Sequence, residues 1–216
     1  MHVVHGRRVP ALTLAYAAAL LATNIWLELA SPRVEGRVLQ DASTNLAHLL
    51  HDPWFVLPAS ALFTRGGLVY ALIGCALCLA PLELVEGPRR ALVIGLAGHV
   101  IGTLVSEAVV AVRIAAGDLP ESARHVLDVG PSYILVATAA AVIASTRVGR
   151  RLRVLCALAI APVFVYTAWR LPDGRIDSIG HLTAGLVGIV SAVWLRHRPA
   201  PDRRHTQTAG SGIMAR

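Results

Sequence analysis

The sequence predicts an all-α polytopic membrane protein with six transmembrane helices. Three observations carry this reading. Hydrophobic residues make up 55% of the chain against 15% charged, with a mean hydropathy of +0.60. The apolar residues gather into runs close to the ~20 residues that a spanning helix needs. Arginines mark the ends of those runs. At 216 residues the chain makes one membrane domain, residues 1–196, followed by a polar tail over 197–216.

The first span is expected from about Pro10 to Ala30. Its apolar region is too long for a signal peptide, and Glu28 at −3 from Ala30 makes a poor cleavage site, so it reads as an anchor. Residues 31–66 form a long first loop whose Trp54 to Phe63 portion is apolar but interrupted by Pro58. That portion is too short to span and suits a half-submerged loop, with Trp54 and Phe55 at headgroup level. The second span runs from Gly67 to Leu82 and the third from Ala91 to Val112. The third carries Gly95, Gly98 and Gly102, a helix-packing pattern, together with the polar His99 and Glu107. The fourth span is expected over Val129 to Ile143, the fifth over Val154 to Leu171 and the sixth over Ile179 to Leu195. Gly180, Ala184 and Gly188 recur every four residues on the sixth, which lets another helix approach closely. The tail from Arg196 to Arg216, rich in Pro, Gly, Thr and Arg, reads as disordered. No internal repeat of the transporter kind is present.

The formal charge of +7 comes from twenty basic residues, all arginine, in small clusters at helix ends. No basic stripe interleaves with aromatics and no nucleic-acid motif is present, so nucleic acid is excluded as a partner. The arginines set topology instead. With the N-terminus inside, thirteen fall on inner segments and seven (Arg33, Arg37, Arg65, Arg113, Arg124, Arg170, Arg175) on outer ones. Both termini are therefore expected to be cytoplasmic, with the lipid bilayer as the chain's medium. The cysteines Cys75, Cys78 and Cys156 all lie in apolar runs with no Cys/His set to complete a metal site, and read as packing residues.

Within this frame two polar residues stand at matching depth on separate spans. Ser132 lies four residues past Asp128 at the start of the fourth, and His181 four residues past Asp177 at the start of the sixth. On a helix each acid would sit one turn, about 6 Å, above its partner. A polar pair inside a membrane is costly and marks a functional site by default. A serine needs a base within hydrogen-bond reach to act as a nucleophile, and the small-residue stripe beside His181 allows that approach. Taken singly, a serine commonly bonds its own backbone and a histidine can simply bridge helices. Glu107, about 9 Å of rise before Arg113, comes near the same depth. It reads as an acid orienting His181 or as a packed protonated acid.

These residues resemble those of the rhomboid superfamily of intramembrane serine proteases, over roughly Pro10 to Leu195. Gly130-Pro131-Ser132 is similar to the Gly-x-Ser of the family's fourth span. His181-Leu-Thr-Ala-Gly-Leu-Val-Gly188 is similar to its sixth-span histidine followed by small residues. Glu83-Leu-Val-Glu-Gly87 resembles the family's Glu-x-x-x-Gly, and six spans with a long first loop and cytoplasmic termini match as well. The overall pattern looks closest to divergent rhomboid-like proteins of actinobacteria, which implies a bacterial plasma membrane. The resemblance implies a six-helix rhomboid-like bundle in which Ser132 and His181 are catalytic, Glu107 and Gly130 support them, and no metal or organic cofactor is needed. Tyr133 stands where the family has a second glycine. Aligning on Glu83 to Gly87 puts Gly67 and Ala71 where proteolytic members carry the histidine and asparagine that stabilise the oxyanion. Backbone N–H groups near Ser132, or side chains of the first loop such as Asn45 or His48, are the possible substitutes. Two functions are consistent with the pattern: an endopeptidase cleaving transmembrane substrates, and an inactive pseudoprotease that binds transmembrane clients.

Overall fold

The computed structural model describes residues 9–170 and 176–198. Among these residues the fold is helical throughout, with no strand. Five helices are long and apolar enough to cross a bilayer, and a shorter apolar helix joins them. The expected tail lies almost entirely outside the described residues.

The first span is α1, Ala11–Glu28. Its N-terminus is met by a distant carboxylate: Glu83 accepts from the Leu12 and Thr13 backbone N–H groups at 2.9 and 2.8 Å and from the Thr13 hydroxyl at 2.7 Å. A helix leaves its first N–H groups without intrahelical acceptors, so this carboxylate caps α1 from another span. The first loop is richer than a half-submerged strand of chain. It folds into α2 (Pro32–Asp41), α3 (Leu46–His51) and α4 (Pro53–Ser60). Asn45 and Asp52 cap α3 and α4 through their side chains. Pro58 stands inside α4, and Trp54 is 87% exposed.

The second span is built from α5 (Leu68–Gly74), a π-helical turn (Cys75–Leu79) and α6 (Ala80–Glu86), running four residues past the expected end. Gly87 at φ +85° then reverses the chain, and Pro88 opens α7, Pro88–Ala115, the third span. At this end Glu86 accepts two bonds from the Arg147 guanidinium, 3.1 and 2.9 Å, and one from Arg90 at 3.1 Å. Arg147, in the loop after the fourth span, also donates to the Leu195 carbonyl at 2.9 Å, so one buried acid helps tie the second, third and sixth spans together.

The fourth span is α8, Ser132–Ala144, and it is the axis of the bundle. Every residue from Tyr133 to Val142 is buried. Its thirteen residues rise only about 20 Å, short of the ~30 Å hydrocarbon core. The expected start at Val129 is therefore too early: Gly130 at φ +143° and Pro131 end an irregular approach, and the helix begins at Ser132. Asp128 accordingly sits on that approach and not one helical turn above Ser132. α9 (Arg150–Arg170) and α10 (Ile176–Arg196) complete the bundle as fifth and sixth spans. The small-residue stripe on α10 does face α8. A methyl group on Gly188 would stand 2.1 Å from the Ala137 carbonyl oxygen, and one on Gly180 would run into the Tyr133 ring. The cysteines are buried, with Cys78 and Cys156 in contact across the second and fifth spans at 3.1 Å.

Candidate active site

The approach to Ser132 is held by the first loop. The Thr44 N–H donates to the Asp128 carbonyl at 2.9 Å, and the Asp128 N–H donates to the Ser43 hydroxyl at 2.9 Å. Thr44 also donates from its hydroxyl to the Asp128 carboxylate at 3.3 Å, and Gly130 donates its N–H to the Ser60 carbonyl at 2.9 Å. Ser60 is itself pinned by His99, whose Nε2 lies 3.1 Å from the Ser60 hydroxyl and 2.8 Å from the Leu57 carbonyl. His99 is thus a structural bridge between α7 and α4. Burial pushes the Asp128 carboxyl up to about 6; Asp177 adds to the shift and the Thr44 bond opposes it.

Gly130 has a definite task here. Its φ of +143° suits only glycine, and a methyl group there would stand 3.9 Å from the Ser132 N–H and 4.0 Å from its Oγ. Those distances are ordinary contacts, so the backbone conformation and not crowding is what calls for glycine. Ser132 itself lines a cavity of about 200 Å³ between the second and fifth spans. Gly67 and Ala71 of the second span share that wall, as the sequence alignment places them, with Ile160 and Val163 opposite on α9. Neither Gly67 nor Ala71 carries a side-chain donor.

His181 is buried on α10, one turn below Asp177. Its Nδ1 lies 3.3 Å from the Thr167 hydroxyl of α9. Its Nε2 is buried and has no hydrogen-bond partner among the described residues. The Tyr133 ring meets the imidazole edge-on, with centroids 5.1 Å apart and planes at 79°. The fold therefore brings the Ser132 helix against the His181 helix, but no hydrogen bond joins Ser132 to His181. Tyr133, one residue along, packs against the imidazole instead. Glu107 is buried on α7 within electrostatic reach of Asp128, and no hydrogen bond joins it to His181. The group that meets His181 Nδ1 is Thr167, which sequence reasoning passed over. Its signal was a hydroxyl inside the apolar fifth span, a weak one because such residues usually bond their own helix. Asn45 and His48 are also elsewhere: Asn45 accepts from the His48 N–H at 3.0 Å and His48 Nδ1 meets the Ser43 carbonyl at 3.2 Å, and neither lines the serine cavity. No cluster of His, Cys, Asp or Glu suited to a metal ion is present among the described residues.

Comparison with curated proteins and with solved structures returns no match. The family described as "Rhomboid-like protein" matches over residues 5–200, which takes in every span and both halves of the serine–histidine pair. The chain belongs to the rhomboid-like protein family.

Proposed function

We propose that this rhomboid-like membrane protein is an intramembrane serine endopeptidase in which Ser132 is the nucleophile and His181 the base. One observation carries the reading: Ser132 opens on a cavity between two spans while the neighbouring helix holds a buried imidazole whose Nε2 is unpartnered. The tautomer that donates from Nδ1 to Thr167 leaves the Nε2 lone pair available for the serine proton. Catalytic hydrogen bonds are often long or poorly aligned without substrate and tighten in the substrate complex. A transmembrane substrate enters from the bilayer between α5 and α9. Oγ attacks the scissile carbonyl carbon as its proton passes to His181, and the same proton then leaves with the amine. Water hydrolyses the resulting acyl-enzyme.

A second reading, a pseudoprotease that binds transmembrane clients, is favoured by the open Ser132–His181 contact and by Gly67 and Ala71, which offer no oxyanion donor. Labelling with a fluorophosphonate decides between them, because an unactivated serine is a poor nucleophile. The endopeptidase reading expects labelling at Ser132 in detergent-solubilised protein, abolished by either Ser132→Ala or His181→Ala. An unlabelled, well-folded wild type would establish the pseudoprotease.

A further inference from the structure

We propose that Arg65 supplies the side-chain half of an oxyanion hole for Ser132; the inference rests on the endopeptidase reading above. Attack on a peptide carbonyl moves its π electrons onto oxygen, and donors fixed around that oxygen are among the largest contributions to acyl transfer. The second-span positions on the cavity wall, Gly67 and Ala71, carry no side-chain donor.

The other polar groups around the cavity spend their protons elsewhere. The Thr64 hydroxyl donates to Asn24 Oδ1 at 2.9 Å and the Tyr70 hydroxyl to the Ala159 carbonyl at 2.8 Å. The Gly130 N–H is held by the Ser60 carbonyl. Arg65 lines the same cavity, is exposed at its mouth, and makes no hydrogen bond or ion pair with any described residue. Its guanidinium brings five N–H donors in a planar fork. Ser132, as the first residue of α8, has a backbone N–H with no intrahelical acceptor, the second half of the hole.

The step balances within these groups. The Ser132 Oγ–carbon bond forms as the Oγ proton moves to His181 Nε2, and the carbonyl pair becomes an oxyanion held by Arg65 and the Ser132 N–H. When the pair returns, the carbon–nitrogen bond breaks and the amine takes the proton from His181. Arg65 therefore acts on the transition state and contributes little to holding substrate.

The test is the rate of fluorophosphonate labelling at Ser132 in the full chain, compared across wild type, Arg65→Gln and Arg65→Lys. Arg65→Gln is expected to lower the limiting rate by about 100- to 1,000-fold, with the half-saturating probe concentration changed less than about 3-fold. Arg65→Lys should recover part of the loss. Melting temperature should not move, because an exposed arginine without partners contributes little to folding. Wild-type labelling that needs Ser132 and His181 but is unchanged in Arg65→Gln overturns the role of Arg65 and leaves the endopeptidase standing. A lower limiting rate that follows a lower melting temperature assigns Arg65 to the fold and overturns the proposal. A wild type that is never labelled overturns both.

Discussion

On the endopeptidase proposal, the chemistry of His181 turns on a single hydroxyl, that of Thr167. A neutral imidazole works as a base only if its proton sits on the far nitrogen, and the 3.3 Å contact to Nδ1 is the contact that can hold it there. Thr167→Val keeps the shape and removes the acceptor. We expect Ser132 labelling to slow by roughly 10-fold, between wild type and His181→Ala, with the melting temperature nearly unchanged. Thr167→Ser should restore most of the rate. Stopped or timed labelling across pH adds the discriminating readout: a positioning role moves the pH–rate midpoint, and a packing role does not.

The contact between α8 and α10 is the element on which the site depends. Ordinary membrane helices meet through side chains, yet here Gly188 lets α10 lie on the Ala137 backbone itself. A carbonyl cannot swing aside as a long side chain can, so Gly188→Val must push the helices apart. A loss of about 1–3 kcal/mol in stability is expected, read as a lower melting temperature in detergent. Ser132 labelling should fall with it, because His181 rides on the displaced helix. Gly149, which has open space around it, is the matched control: Gly149→Val should leave both unchanged.

At the scale of the whole molecule the arginine asymmetry makes its own prediction. Reporter fusions after Arg153 and Arg204 should read cytoplasmic, and fusions near Arg37 and Arg124 extracytoplasmic. A tail found outside would break the shared outer depth of Ser132 and His181. Much of the fold was legible beforehand because membrane helices write their length and apolarity directly into sequence; α1, α7, α9 and α10 fall within a few residues of expectation. The α8 start was missed because Val129 is as apolar as a helix residue, while Gly130 and Pro131 are what end the approach. For the candidate site the sequence offers residues but not contacts. The sequence carries Ser132, His181 and the small-residue stripe, whereas the edge-on Tyr133 ring and the Thr167 hydroxyl depend on helix rotation, which no periodicity in a uniformly apolar span records. Glu83 shows the same limit: its motif was visible, and its service as a cap for α1, seventy residues away, was not.

Because α8 is enclosed along nearly its whole length, Ser132 is referenced to protein and not to lipid. The outer helices must tilt or stretch when a bilayer thickens or thins. A thirteen-residue rod inside them has no hydrocarbon boundary of its own to obey. Its recessed start fixes how far below the rim Ser132 lies, so on the endopeptidase proposal the depth of cut along a substrate would be a ruler carried by the protein, the same in a thin membrane as in a thick one.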